Sequence, residues 1–281
     1  MSGAKPTAAK PHKIVAINGS HRGDRGYTRF LIDRLFQGAA EAGAECEVVT
    51  LAKLKIQRCR GCERCHEPET FLHCVYEEKD DVRQVFARMA AADVIVYATP
   101  VYVFGMSGLM KTFLDRLNGT SDTGDLRLTQ SGLLFHQVDG EICSKPFVTL
   151  ICCENLEAET PRNALAYFRT FGRFMDAPQV GELVRNGGRL TGQGKDAARE
   201  ARFPKIRVVY AAYEQAGREL AREGRIHRST QRRANQEILP VPLFGLLKRL
   251  PLRPVKEGMV RQARKMQEKN SAATGASALS G

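Results

Sequence analysis

Short apolar runs rich in β-branched residues recur along the chain, separated by stretches of mixed polarity. Each run has the length expected of a buried strand, and most end at a glycine, a proline or a polar residue. We therefore predict five strands: HKIVAING (12–19), CEVVTL (46–51), DVIVYATP (93–100), which its proline ends, PFVTLICC (146–153) and the weaker QVGELV (179–184).

Between these strands, apolar residues recur at helical spacing. Thr28 is predicted to cap the first helix, which Gly43 ends, and Asp80 is predicted to cap the second. The remaining helices are predicted over 107–117, 162–177 and 195–224, the last as one long final helix, and 118–145 is predicted to be a long connection.

Strands that alternate with helices predict a parallel sheet covered by helices on both faces. Five such strands fit a doubly wound α/β fold, in which ligands bind at the carboxyl ends of the strands. In the strand order 2-1-3-4-5, the order reverses beside the first and third strands. The loops that follow these two strands are therefore the first candidates for a functional site.

Composition is that of an ordinary soluble globular protein, with 281 residues of which 43% are hydrophobic and 26% charged. No signal-peptide core and no run of roughly 18 apolar residues is evident, so we expect a cytoplasmic protein with reduced cysteines. We expect disorder over 1–11, one domain over 12–224, a basic extension over 225–270 and a disordered tail over 271–281.

The first candidate loop is NGSHRGDRGYT (18–28), which leads from a strand into a helix. Such a loop offers free N–H groups and the positive end of a helix dipole to an anion. Its hydroxyls (Ser20, Tyr27, Thr28) and its cation (Arg22) suit a terminal phosphate monoester better than a pyrophosphate. A simple Gly/Ser turn whose threonine caps the helix is the alternative.

The second candidate loop is TPVYVFGMSG (99–108), which is unusually apolar for a solvent loop. A planar aromatic cofactor needs backbone groups at its ring edge and apolar side chains around it. Alternatively, Tyr102 and Phe104 fill the core. Taken together, a phosphate loop and an apolar slot at neighbouring strand ends match the shape of flavin mononucleotide (FMN).

KIVAINGSHRGDRGYT (13–28) and PVYVFGMSGLMKTFLDR (100–116) resemble the flavodoxin-like NAD(P)H-dependent FMN reductase superfamily. Members of this superfamily share a strand–NGS–x–R–…–T loop and a P-V-Y-…-M-x-x-x-K-x-F-x-D-R segment, and the resemblance covers about residues 12–185. It implies a flavodoxin-like sheet, bound FMN, NADPH or NADH as reductant, and a homodimer or homotetramer.

The resemblance also implies which residues contact FMN. The implied phosphate ligands are Ser20, Arg22, Gly26, Tyr27 and Thr28, and the implied isoalloxazine contacts are Pro100, Val101, Tyr102, Val103, Phe104 and Gly105.

Three residues of the helix signature, Lys111, Asp115 and Arg116, are expected to have a structural or dimer role. The chain departs from many family members after its fourth strand, where CCENLEAETP (152–161) replaces a glycine-rich loop. Glu154 and Asn155 stand where that third wall of the flavin site is expected.

Four cysteines lie within the segment CRGCERCHEPETFLHC (59–74), at Cys59, Cys62, Cys65 and Cys74. Four thiolates are the ligand set of a cubane cluster or of a Zn(Cys)4 site. The spacing resembles that of the iron–sulfur flavoproteins, although the gap before the fourth cysteine is eight residues rather than four to seven. A [4Fe–4S] cluster, zinc and metal-free thiols all remain open, with His66 and His73 as substitute ligands and with Cys143, Cys152 and Cys153 assigned to the core.

The formal net charge of +12 is concentrated near the C-terminus. From Arg225 onward, 12 Lys and Arg face 3 acidic residues, whereas the preceding residues carry 31 against 28. The basic segment 231–265 fits peripheral membrane contact, docking of a partner, covering of a neighbouring subunit's flavin, or packing on the core. Nucleic acid is not an expected partner, because no recognised binding motif accompanies the charge.

The sequence thus favours an FMN-dependent NAD(P)H oxidoreductase that passes electrons to a quinone, a nitro compound, another small molecule or a protein. No general acid or base is assigned, because hydride transfer to a flavin needs none. A non-enzymatic iron–sulfur flavoprotein that relays electrons between proteins is the alternative. A zinc-binding scaffold with an empty flavin site is a third hypothesis.

Overall fold

Five parallel strands form the central sheet of the protein. The computed structural model describes residues 12–239, 246, 253–261 and 264–265. Its strands are β1 Lys13–Asn18, β2 Glu45–Thr50, β3 Val94–Tyr102, β4 Gly105–Met106, β5 Ser121–Leu128, β6 Leu134–Val138, β7 Phe147–Cys152 and β8 Gln179–Arg185. The parallel strands lie in the order β2-β1-β3-β7-β8. The predicted 2-1-3-4-5 order of a doubly wound, flavodoxin-like sheet is therefore confirmed.

Helices cover both faces of this sheet. They are α1 Tyr27–Glu41, α2 Val82–Ala90, α3 Gly108–Asp115, α4 Gly140–Cys143, α5 Arg162–Phe174, α6 Gly188–Thr191, α7 Ala197–Ala201, α8 Lys205–Glu223 and α9 Arg228–Ala234. Side chains of α2, α3 and α5 join Val15 and Ile17 of β1 in one hydrophobic cluster. Ile14 and Ala16 are equally buried but point to the other face, on which α1 packs against α8.

β3 continues past Pro100, so the prediction that this proline ends the strand is wrong. Pro100 pairs with Cys152 in the last rung of the parallel ladder, and the chain then turns back into a short antiparallel hairpin with β4. The missing N–H of proline costs little at this point, because the parallel ladder ends there.

The region 118–145 is not a plain connection, because it contains the antiparallel β5–β6 hairpin and α4. The leucines of this hairpin, Leu126, Leu128 and Leu134, are exposed to solvent, whereas Val138 is buried in the core cluster. The two strands therefore lack the continuous apolar run from which the buried strands were predicted.

The predicted long helix over 195–224 is interrupted. α7 ends at Ala201, and α8 begins at Lys205, directly after Pro204. Proline disfavours helical backbone at the residue before it but suits the start of a helix, so it separates the two. α9 follows α8, so α8 is not the final helix.

Two helix starts differ by one or two residues from the predictions. Gly26, rather than Thr28, is the N-cap residue of α1, and Thr28 is buried within the first turn. Asp81 immediately precedes α2, but Asp80 Oδ1 accepts a hydrogen bond of 3.2 Å from the Val82 N–H. The Asp80 side chain therefore does satisfy a free N–H of this helix.

α9 and Asn235, the residue directly after it, cover the open edge of β8 with two amide side chains. Asn235 Oδ1 accepts from the Val184 N–H at 2.8 Å, and its Nδ2 donates to the Glu182 carbonyl at 2.9 Å. Gln231 Oε1, one helical turn earlier, accepts from the Glu182 N–H at 2.9 Å. These three backbone groups of the edge are therefore satisfied and are not available for pairing with a further strand.

The compact unit that contains the sheet ends at Ile238, beyond the expected boundary at residue 224, and so includes α9. A second unit comprises Leu239–Gly281, in which residues 253–261 are helical. Residues 1–11 and 271–281, which we expected to be disordered, lie outside the described residues. Among the described helices, none has both the length and the apolar character to cross a membrane.

Replacing Asn235 with alanine is expected to lower the free energy of unfolding by about 2 kcal/mol, because it leaves a backbone donor and a backbone acceptor of β8 without partners. Urea unfolding measures this change. Arg232→Ala, at an exposed position of α9, is the control and should change the free energy by about 0.5 kcal/mol or less. Equal losses in the two variants would show that the amide contacts do not stabilise the edge.

Candidate active site and cysteine cavity

The loop between β1 and α1 is fixed to the carboxyl end of β3. The Gly19 N–H donates to the Ala98 carbonyl at 2.8 Å, and Ser107 Oγ donates to the Gly19 carbonyl at 2.5 Å. Ser107 also caps α3 by accepting from the Met110 N–H at 3.1 Å. A Cβ on Gly19 would lie 2.8 Å from Met110 Cβ, so only glycine allows this close approach.

The same loop folds into a cradle of backbone and hydroxyl groups. The Ser20 N–H donates to Asn18 Oδ1 at 3.1 Å, and the Arg22 N–H donates to Ser20 Oγ at 3.3 Å. A Cβ on Gly26 would approach Ser20 Oγ to 2.6 Å and fill the cradle. Ser20 and Thr28 are buried here, whereas Arg22 is exposed at the rim.

Asp24 fastens this cradle to the segment after β2. A contact with Lys53 and a hydrogen bond of 2.7 Å from Thr50 Oγ1, assisted by Arg29, lower the pKa of Asp24 to about 2. The only acidic side chain within residues 18–28 is therefore held by donors outside the cradle. The negative charge of Asp24 is thus balanced without any donor of the cradle.

The β3–β4 hairpin presents apolar side chains beside this cradle. Val103 and Phe104 occupy its turn with φ of 46° and 66°, a left-handed conformation that β-branched and bulky residues rarely adopt. Phe104 is 61% and Val103 92% exposed, so the hairpin tip is not core packing. Strain of this kind at an exposed apolar tip is typical of ligand-binding positions.

The two loops meet at the same edge of the sheet. The rings of His21 and Tyr102 lie with their centroids 5.9 Å apart. The structure therefore brings together the phosphate-loop residues and the ring-contact residues that the sequence singled out. The alternative in which Tyr102 fills the core is wrong, because this side chain is 41% exposed.

The loop after β7 forms a third side of this region. Asn155, Glu157 and Thr160 line an open pocket together with Phe104 of the hairpin tip. Glu154 instead points to Arg189, with a distance of 3.3 Å from Arg189 Nη1 to Glu154 Oε1. Of the two residues expected at this wall, only Asn155 therefore lines the pocket.

A glycine-rich segment after β8 was missed by sequence reasoning, although its glycines at 187, 188, 192 and 194 were a visible signal at a strand end. We call residues 186–195 the glycine segment. A Cβ on Gly188 would lie 3.4 Å from both Tyr27 Cδ2 and Cys152 Sγ, and 2.6 Å from Gln193 Nε2. The glycine segment therefore packs directly against the start of α1.

All four cysteines of the segment 59–74 line a single cavity, together with Tyr76, Arg116, Asn118 and Gly119. Within the described residues, no group of three or more His, Cys, Asp or Glu side chains is arranged to hold a metal ion. The four cysteine thiols match the ligands of a four-thiolate site. Their side chains must change orientation before they can share one ion or cluster. His73 Nδ1 lies 2.8 Å from Glu77 Oε2, so this histidine pairs with Glu77 and does not act as a substitute ligand in this structure.

Arg116 joins the cavity to the rest of the fold. Its Nη2 donates to Cys74 Sγ at 3.2 Å, and its Nη1 donates both to the Gln57 carbonyl at 2.9 Å and to the Asp80 carboxylate. Asp80 and Arg116 form an ion pair whose side chains are 0% and 2% exposed. The structural role expected of Arg116 thus takes the form of a buried anchor for the cysteine segment.

Lys111 and Asp115, the other two residues of the helix signature, pair with each other on the exposed surface of α3.

Burial raises the pKa of three cysteines, Cys65, Cys143 and Cys152. The pKa of Cys65 is raised by burial and then by the negative charge that its neighbours Cys74, Cys59 and Cys62 would carry. Burial also raises the pKa of Cys143 and of Cys152 to about 11. These last two thiols are therefore inert core groups, as expected.

A family model for NADPH-dependent FMN reductases matches residues 12–128. This range holds the cradle, the β3–β4 hairpin and all four cavity cysteines. The resemblance to the FMN reductases is confirmed. An iron–sulfur flavoprotein of Archaeoglobus fulgidus is 33% identical over 104 residues, which are 37% of this chain and 48% of the relative. The chain spans about half the length of the curated relatives that it matches.

Solved structures share the fold of this chain. An FMN-dependent NADH-azoreductase from Bacillus anthracis in complex with FMN superimposes with a TM-score of 0.54 at 12% identity, covering 75% of this chain and 99% of that one. An NAD(P)H:quinone oxidoreductase from Methanothermobacter marburgensis has a TM-score of 0.51 at 17% identity, covering 75% and 100%. At these identities the likeness shows the flavodoxin-like fold.

Proposed function

We propose that this protein is an FMN-dependent NAD(P)H oxidoreductase. The observation that carries the proposal is the meeting of a phosphate cradle with an exposed apolar hairpin at the carboxyl ends of β1 and β3, with His21 and Tyr102 in contact. A cradle that a single Cβ on Gly26 would fill fits a phosphate group. The family match over this region supports the same function.

The residues of the chain act by binding and orienting the cofactor. Ser20, Thr28 and the backbone around Gly26 would hold the phosphate, with Arg22 and Tyr27 at its rim. The hairpin from Pro100 to Gly105 would line the ring system and keep water from one side of it. FMN, when bound, supplies the acceptance of a hydride and its transfer onward.

The electron acceptor is proposed to be a small planar molecule of the quinone or azo class, because the structural relatives named above act on such compounds. The open pocket beside Phe104 offers it a place next to the ring-contact residues. A homodimer or homotetramer, cytoplasmic location and contact of the basic segment with membranes remain predictions from the sequence.

An electron carrier containing an iron–sulfur cluster is the second candidate. The four thiols that line one cavity favour this candidate, and the Archaeoglobus fulgidus relative is named an iron–sulfur flavoprotein. In that case Cys59, Cys62, Cys65 and Cys74 would hold the cluster, and Arg116 would donate a hydrogen bond to one of its thiolates.

Anaerobic purification followed by absorption spectroscopy and iron, sulfide and zinc analysis tests both candidates in one sample. We expect stoichiometric FMN and steady-state NAD(P)H oxidation with a quinone acceptor; protein that cannot be loaded with FMN would refute the proposal. Iron and sulfide that disappear in Cys62→Ser but persist in Cys46→Ser would establish the cluster, since Cys46 lies on β2 and does not line the cavity. Zinc without flavin would favour a scaffold.

A further inference from the structure

The glycine segment lies against the first turn of α1 at two of its glycines. Gly188 faces Tyr27, as described above. Gly194 has a φ of +75°, and a Cβ there would lie 2.3 Å from the ring of Phe30. The residue that follows, Lys195, is therefore carried to the same end of α1.

Lys195 places its ammonium group over the face of Tyr27. The distance from Lys195 Nζ to the centroid of the Tyr27 ring is 5.3 Å, within the range of a cation–π contact. Lys195 is exposed, and in the described part of the chain no carboxylate pairs with it. Its charge is thus held near Tyr27 without being neutralised.

The start of α1 has an excess of positive charge. The first turn of this 15-residue helix contains no acidic residue, and its N-cap, Gly26, provides no side-chain oxygen. Arg22 at the rim of the cradle likewise has no carboxylate partner among the described residues. The helix dipole and the cations Arg22 and Lys195 therefore act on the same region.

We propose that Lys195 is a second phosphate-binding cation and that the glycine segment completes the phosphate end of the cofactor site. This inference rests on the proposed function. A phosphate monoester carries a charge of about −1.5 to −2 at pH 7, which one arginine cannot balance. Lys195 therefore makes the site selective for FMN over riboflavin, which has the same ring and ribityl chain but no phosphate.

The test is equilibrium dialysis of the full-length chain with FMN and, separately, with riboflavin. Lys195→Met is expected to raise the Kd for FMN about tenfold, equivalent to about 1.4 kcal/mol, and to change the Kd for riboflavin less than about twofold. Lys195→Arg should restore FMN binding. The difference between Lys195→Met and the wild type should shrink at high salt, because charge interactions are screened.

Lys13→Met is the matched control. It removes the same charge at the opposite end of β1, where Lys13 Nζ lies 3.6 Å from Glu45. FMN binding by Lys195→Met that equals that of Lys13→Met would overturn the inference, and so would equal weakening of FMN and riboflavin. A wild-type chain that binds neither flavin would overturn the proposed function itself, which separates the two failures.

Discussion

Replacing Arg116 with methionine is expected to lower the free energy of unfolding by about 4 kcal/mol, because a buried carboxylate then loses its partner. The Asp80 side chain is 0% exposed, so water cannot replace the guanidinium. The Gln57 carbonyl and the Cys74 thiol lose their donor in the same variant. Urea unfolding monitored by circular dichroism measures the loss.

Two further variants show whether the buried pair is the cause. Lys111→Met breaks the exposed pair with Asp115 on α3, the helix that directly precedes Arg116, and should cost about 1 kcal/mol or less. Arg116→Met combined with Asp80→Asn removes the uncompensated charge and should be more stable than Arg116→Met alone. Losses of similar size in Arg116→Met and Lys111→Met would contradict the assignment.

The cysteine cavity provides an independent measurement of the same anchor. Arg116, the residue directly after α3, connects the end of this helix to Gln57 and Cys74, on either side of the three clustered cysteines. Without it, the segment 59–74 should open more often, and its thiols should react faster with a thiol reagent under native conditions. The buried Cys143, which does not line the cavity, is the internal reference for reactivity.

The positions of the five parallel strands and of the two loops of the candidate site followed from local patterns. A buried strand such as KIVAIN requires an apolar run. A loop such as NGSHRGDRGYT indicates anion binding through the glycines, hydroxyls and cation that lie within a few positions of one another. These properties depend on residues close together in the sequence. They could therefore be predicted from the sequence.

Features that depend on distant contacts could not be predicted in this way. The pairing of Asp80 with Arg116 spans 36 residues, and the contact of Lys195 with Tyr27 joins the two ends of the domain. The β5–β6 hairpin has its leucines exposed, so no continuous apolar run marked its strands. Pro204, in contrast, is a local signal of a helix boundary. It separates α7 from α8, although the apolar residues around it recur at helical spacing.

Gly38→Ala is expected to lower the free energy of unfolding by about 3 kcal/mol, because α1 and α8 approach each other more closely than a methyl group allows. A Cβ on Gly38 would lie 1.8 Å from the Glu214 carbonyl oxygen, and a Cβ on Gly217 would lie 1.9 Å from that of Leu35. Both obstacles are backbone atoms, so no side chain can rotate away. Chemical unfolding measures the loss.

The matched control for this change is Gly108→Ala. Gly108 is the first residue of α3 and has no atom within 4 Å of its would-be Cβ, so its replacement should be neutral or slightly stabilising. Equal stability of Gly38→Ala and Gly108→Ala would show that the two helices can separate freely.

The contact between α1 and α8 also bears on the cofactor site. α1 carries the phosphate cradle at its start, and α8 follows the glycine segment that carries Lys195. If the close approach at Gly38 fixes the position of these two parts, Gly38→Ala should weaken FMN binding more than riboflavin binding, because in the proposed site only the phosphate would contact both parts. Weakening of the two flavins by the same factor would mean that the helix contact supports the fold without setting the geometry of the phosphate site.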